Sequence, residues 1–103
     1  MLIFTSDPIA SGVTQEFTAY SQPFFIVLSG QFAPSASSSS YGTAQVQCLA
    51  ESGEWVDVAG HAYRMPAVDS FMIPPGAKAR VQVERTGGVT VEIHDSDPTE
   101  VPA

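Results

Sequence analysis

Apolar and polar residues alternate along most of this chain, and no window sustains the 3.6-residue recurrence of an amphipathic helix. The clearest alternation runs from Ala77 to Ile93. Ala77, Ala79, Val81 and Val83 share one face, with Lys78, Arg80, Gln82 and Glu84 on the other. After Thr86-Gly87-Gly88 the pattern resumes, with Val89, Val91 and Ile93 against Thr90, Glu92 and His94. A second period-2 block places Val46, Cys48 and Ala50 in one row and Val56 and Val58 in another.

Both blocks read as hairpins whose registers follow from keeping the apolar rows on one face. A three-residue loop of Thr86-Gly87-Gly88 sets Arg85 opposite Val89, Val83 opposite Val91 and Val81 opposite Ile93. A loop of Glu51-Ser52-Gly53 sets Cys48 opposite Val56 and Val46 opposite Val58. The second register also brings Leu49 beside Trp55 on the opposite face, either as a covered core pair or as an exposed contact anchor.

Upstream, residues 13–20 alternate with Phe17 inward, and Phe24-Phe25-Ile26-Val27-Leu28 is apolar on both faces, the pattern of a central or covered strand. Pro34 to Ser40 reads as a flexible loop. Residues 60–70 read as an irregular crossing with a short strand near Ala62 to Met65. Phe71-Met72-Ile73 is a brief strand, ended by a type II turn at Pro74-Pro75-Gly76. Regularly spaced short strands without helices predict an all-β fold: a single β-sandwich, immunoglobulin-like or jelly-roll-like, of about seven or eight antiparallel strands with no substantial helix. It is expected to span residues 1–94, with residues 1–8 either an N-terminal arm or the first strand of the domain's own sheet. Residues 95–103 then form an acidic, Pro-containing tail.

Composition narrows the function classes. Charged residues are only 15% of the chain, against about 25% in soluble domains, so either small polar residues fill the surface or a partner covers it. The net charge is −7, and Asp7, Glu16, Glu51, Glu54 and Asp57 all precede the first base, Arg64. Four Lys and Arg in all are too few to displace counterions from a phosphate backbone, which argues against nucleic acid as a partner. The same scarcity argues against an anionic membrane, and the apolar run from Phe24 to Leu28 is too short to cross one. With Cys48 the lone cysteine and no basic region before the apolar start, the chain is expected to fold in a cytoplasm.

No nucleophile elbow, Walker loop, His-Glu-x-x-His or dinucleotide glycine pattern is present, so no catalytic, cofactor or metal residue is assigned. His61 lies within reach of Asp57 or Asp69 in sequence terms, without a nucleophile beside it. His94 with Asp95, Asp97 and Glu100 reads as a solvated acidic end rather than a cation loop. Cys48 suits the role of a small buried hydrophobe. Tyr20, Tyr41, Trp55 and Tyr63 are the aromatics that would stack on a sugar, and they keep a glycan partner open.

Four segments carry a resemblance: Glu54-Trp55-Val56-Asp57-Val58, Phe71-x-Ile73-Pro74-Pro75-Gly76-Ala77, Arg80-Val81-x-Val83 and Gly87-Gly88-Val89-Thr90-Val91. Together they resemble the C-terminal half of small β-sandwich virion proteins of tailed bacteriophages, namely capsid decoration (cement) proteins and neck or tail accessory proteins. The turn and the strand after it are also similar to fibronectin-type and immunoglobulin-like modules, although Ala77 and Ala79 stand where those modules favour a tyrosine. The virion resemblance implies a non-enzymatic structural protein, made in the host cytoplasm and carried in the virion. It would bind the major capsid protein or another virion protein, and would form a homo-oligomer in the particle. The alternatives are a neck or tail role or a carbohydrate-binding module. The candidate interface residues are Leu2, Ile3, Phe4, Leu49, Trp55, Phe25 and Val27.

Overall fold

In the computed structural model, which describes residues 1–18, 21–35 and 37–97, the chain runs as one long antiparallel ribbon folded over on itself. Its strands are β1 (Leu2–Thr5), β2 (Gly12–Val13), β3 (Phe24–Gln31), β4 (Thr43–Leu49), β5 (Trp55–Tyr63), β6 (Ala67–Phe71), β7 (Ala79–Glu84) and β8 (Gly88–His94). First pairs with last, and so inward: β1 with β8, β2 with β7, β3 with β6, β4 with β5. Isolated bridges Ile9–Val89 and Phe17–Ala79 continue the ladder between these pairs. Side-by-side pairing of β3 with β8 and of β4 with β7 then closes the ribbon into two four-stranded sheets, β1-β8-β3-β6 and β2-β7-β4-β5.

Among the described residues, eight antiparallel strands in two sheets of four, without a helix, bear out the β-sandwich expected from the pattern. Of the two variants left open, the strand order is that of a jelly roll. Only the β4–β5 link stays within a sheet, and every other connection crosses the sandwich.

That topology corrects one register. The alternating blocks on either side of Thr86-Gly87-Gly88 do not form a hairpin, because β7 and β8 belong to different sheets. Val81 and Val83 pair with Val46 and Ala44 of β4, while Val91 and Ile93 pair with Leu28 and Ile26 of β3. The two apolar rows share one core, as expected, but face each other across it. Parity along a strand says which face is inward and cannot distinguish a lateral neighbour from an opposing one. The reversal is made at a corner where Arg85 takes φ +54° and Gly88 φ +121°.

The β4–β5 hairpin forms as expected at its tip, with Leu49 opposite Trp55 and Cys48 opposite Val56. Beyond Gln47–Asp57 the ladder slips, and the next pairs are Gln45–Ala62 and Ala44–Tyr63. Val58 to His61 therefore bulge opposite Val46, and the expected Val46–Val58 pair is replaced. Gly60 supplies the positive φ of +81°. The Gln45 amide closes the bulge, its Nε2 lying 2.8 Å from the carbonyl of Val46, 3.1 Å from that of Val58 and 3.2 Å from that of His61.

The turn at Pro74-Pro75-Gly76 is as expected, with Ala77 N donating to Pro74 O at 3.0 Å and Gly76 at φ +80°. Residues 12–18 contribute only the two-residue β2 and the Phe17 bridge, so the longer strand expected there is interrupted. Val13 points to solvent while Thr14 and Phe17 are buried. Where the ladder breaks, side-chain oxygens replace backbone partners: Ser6 Oγ accepts from Val91 N, Thr14 Oγ1 from Val81 N, Ser11 Oγ from Arg85 N and Gln22 Oε1 from Ile73 N.

The core is filled by alternate residues of both sheets. At one end Phe4, Phe17, Phe24 and Phe71 form an aromatic cluster, with Phe24 and Phe71 stacked at 5.1 Å between centroids. Fully burying each such side chain stabilises the fold by about 1.5–3 kcal/mol. Phe32 is likewise buried and anchors the loop before β4, whose ends are tied by Gly42 N donating to Phe32 O at 2.8 Å.

Candidate docking face

The seven residues expected at an interface separate into three groups. Phe4 is buried in the aromatic cluster and Ile3 packs against it, both in a β1 that pairs within the chain's own sheet. A register shift between Leu2 and Phe4 turns Leu2 to the other side. There it joins Phe25 and Val27 on the outer face of β1-β8-β3-β6.

Two rows cross that face. One runs Leu2, His94, Phe25, Ser70, and the other Thr5, Glu92, Val27, Val68. Leu2 is 42% exposed, Phe25 39% and Val68 74%. β3 is thus central, one of the two readings of the apolar run Phe24 to Leu28, yet on its outer face Phe25 is exposed and Val27 half-buried. Charge is confined to the middle of the face, where His94 Nε2 and Glu92 Oε1 lie 3.5 Å apart. Val68 belongs to the same patch but was missed from sequence, because the short β6 shows no alternation long enough to orient it.

Leu49 and Trp55 lie on the outer face of the other sheet, and that face is self-covered. The Arg80 guanidinium sits 4.2 Å from the Trp55 ring centroid. Arg80 Nε donates to Gln47 Oε1 at 2.8 Å, and Gln47 Nε2 donates to Asp57 Oδ1 and Gln82 Oε1, each at 3.0 Å. The open apolar surface near this hairpin is instead its inward row, where the sandwich ends. Cys48 and the 49%-exposed Val56 line a trough of about 840 Å³ with Leu49, Pro74, Pro75 and Ala77. Partial burial pushes the Cys48 thiol pKa up, in keeping with a packing role.

His61, Tyr63 and Asp69 bind one another. His61 meets Asp69 rather than Asp57: its Nδ1 is 2.9 Å from the Tyr63 hydroxyl, which donates to Asp69 Oδ2 at 2.7 Å. The Tyr63 hydrogen bond, with a second from Ser70 N, holds the Asp69 carboxyl below its ordinary pKa. Burial, and then the same contact with Asp69, push the Tyr63 phenol up. The beginning of the expected acidic tail is pinned, with Asp95 N donating to Met1 O at 2.9 Å and Ser96 Oγ donating to Pro23 O. Glu100 and Tyr20, named above as candidates, lie outside the described residues. Among the described residues no cluster of three or more His, Cys, Asp or Glu is placed to hold a metal, and no helix is long and apolar enough to cross a membrane.

Comparison with known protein families, curated proteins and solved structures returns no match to this chain.

Proposed function

We propose that this protein is a structural subunit of a tailed-bacteriophage virion, a decoration protein that binds the major capsid protein through the outer face of β1-β8-β3-β6. The observation that carries the reading is the convergence of exposed Leu2, Phe25 and Val68, with half-buried Val27 among them, on one regular sheet face. A face of this kind offers apolar area in a fixed plane, with its charge limited to the mutually paired His94 and Glu92, which suits adhesion to another protein surface. The sparse charge of the whole chain supports the same reading, as does a strand order shared with viral capsid and lectin domains. Fold order alone is compatible with many functions, so the weight rests on the face. A subunit present in many copies needs only modest affinity per copy to hold a shell together.

The test is co-sedimentation of the purified protein with undecorated capsids. Wild type should pellet with the shells, and Phe25→Ser combined with Val68→Ser should stay in the supernatant while unfolding at nearly the wild-type temperature. Binding to isolated necks or tails but not to shells would move the role to the neck or tail. Equal binding by the double variant would sink the docking face.

A further inference from the structure

A second surface feature lies at the other side of the molecule, where β4 starts and β5 and β7 end. An open recess of about 310 Å³ is lined there by Ser39, Ser40, Tyr41 and Thr43 and by Arg64, Glu84 and Arg85. The chain has four basic side chains against eleven acids. Two of the four are used internally: Lys78 pairs with Glu16 at 3.9 Å, and Arg80 is held by Gln47 and Trp55. The other two, Arg64 and Arg85, line this one pocket. Among the described residues neither side chain makes an ion pair, even though Glu84 lines the same pocket. In so acidic a chain, two unneutralised guanidinium groups in one recess are a placement that favours an anion.

The remaining walls narrow the anion. Tyr41 is 59% exposed and offers an open aromatic ring. Ser39, Ser40 and Thr43 bring hydroxyls, and Glu84 brings a carboxylate that accepts from hydroxyl donors but repels a second negative charge. A polyanionic peptide or a bare phosphate has no use for Glu84 and is opposed by it. A sugar ring bearing one carboxylate fits all the parts: carboxylate on the guanidinium forks, ring hydroxyls on Glu84 and the serines, C–H face on Tyr41. The volume is at the lower end for ligand sites of about 300–1,000 Å³, suited to one or two rings.

The backbone holds the site in place. Arg85 sits in the left-handed region at φ +54°, a conformation uncommon for a long side chain and found disproportionately at functional positions. Its N–H is fixed by Ser11 Oγ at 3.1 Å. Gly42 packs directly on the Glu84 and Arg85 carbonyls, and a Cβ there would collide with both, so the serine loop is seated against β7 through bare backbone.

We infer that this pocket binds an acidic saccharide, a sugar whose ring carries a carboxylate, of the uronic or sialic class. The inference is independent of the docking face on the opposite sheet. It is tested by titrating the isotopically labelled protein, followed by amide NMR, with a glucuronate-containing trisaccharide, a sialylated trisaccharide, the neutral glucose counterpart, an Asp/Glu hexapeptide and inorganic sulfate. Amides of residues 39–43, 64 and 85 should shift with at least one acidic saccharide, at least tenfold more tightly than with the neutral sugar, the peptide or sulfate. Which of the two saccharides binds separates the uronic from the sialic source. Arg64→Gln and Arg85→Asn should each weaken the response at least tenfold with little change in melting temperature, since Asn adopts the left-handed conformation readily. Equal affinity for the neutral sugar, equal response to peptide or sulfate, or unchanged binding in both variants would each overturn the assignment.

Discussion

The Tyr63 hydroxyl donates to Asp69 Oδ2 at 2.7 Å, and in doing so ties the end of one sheet to the edge of the other. β5 and β6 are consecutive strands in different sheets, joined by the short segment 64–66. With the hydroxyl hydrogen directed at Asp69, the same oxygen is left to accept from His61 Nδ1 at 2.9 Å, which assigns the imidazole hydrogen to that nitrogen. Three side chains thus close the flank where neither β5 nor β6 has a further strand to pair with.

Removing that hydroxyl should loosen the flank in a pH-dependent way. Asp69 is depressed in the folded state, chiefly by Tyr63, so its contribution is present above the ordinary carboxylate pKa and is lost as pH falls through the folded value. Tyr63→Phe should lower stability at pH 7 by about 1 kcal/mol. Urea denaturation at pH 7, 5 and 3 should show the gap between wild type and variant closing toward the acid end. A gap that stays constant over this range would mean that ring packing, and not the Asp69 contact, is what was lost.

Thr86 should be the least replaceable residue of the β7–β8 corner. It is 5% exposed, its Oγ1 donates to Ile9 O at 2.8 Å and also accepts from Gly88 N at 3.2 Å, and its own N–H reaches Ala10 O at 3.0 Å. Thr86→Val keeps the shape and strands both partners, which costs about 1–3 kcal/mol. Thr86→Ser restores the hydroxyl and should recover most of the loss in chemical denaturation. A Thr86→Val variant as stable as wild type, or a Thr86→Ser variant no more stable than Val, would mean that the hydroxyl bonds do not hold this corner.

What the sequence disclosed and what it withheld divide along one physical line. Rows such as Val81–Val83 and Val89–Ile93 revealed their inward faces, because burial imposes period 2 on any strand. Pairing at the tip of β4–β5 was also legible, since a short loop leaves its two strands no other neighbour. The β7–β8 crossing was not, because its partners in the ladder, β2 and β1, lie far back near the start of the chain and the Thr86 hydroxyl bonds that mark the corner reach back to Ile9 and Ala10. The same limit applies to function. Leu2, Phe25 and Val27 stood out as apolar, but their gathering on one face depends on which strands lie side by side. Trp55 stood out for the same reason and is covered by Arg80, a contact between strands that are not neighbours in sequence. Arg64 and Arg85 drew no notice as a pair, being separated by β6 and β7.

The bulge in β5 should depend on the donor character of Gln45. Its amide nitrogen is the group that reaches the carbonyls of Val58 and His61 across the slipped register. Gln45→Ala should cost about 1–2 kcal/mol by leaving these carbonyls short of a partner. Gln45→Glu should cost more at neutral pH, since a carboxylate would face the same oxygens. Protonation restores a donor, so stability lost in Gln45→Glu should return in part as pH falls through the carboxylate range. Thermal melts at pH 7 and pH 4 read this directly, and a Glu variant equally stable at both would contradict the arrangement.

Arg80 should control the optical behaviour of Trp55, the one tryptophan in the chain. Its guanidinium covers the indole at 4.2 Å and is fixed there by Gln47 Oε1, which the Gln47 bonds to Asp57 and Gln82 hold in turn. A planar cation stacked on the ring shields it from a dissolved quencher and adds about 0.5–1 kcal/mol at an exposed site. Arg80→Ala should therefore red-shift Trp55 emission and raise its iodide quenching constant severalfold, with a stability loss of that order. Arg80→Lys keeps the charge, and so the local attraction for iodide, but cannot stack flat or donate from Nε. It should fall near Ala in emission wavelength and in acrylamide quenching, a neutral probe that senses exposure alone. Wild-type acrylamide quenching in both variants would mean that the indole is shielded by its own strand pair with Leu49, and that Arg80 merely lies over it.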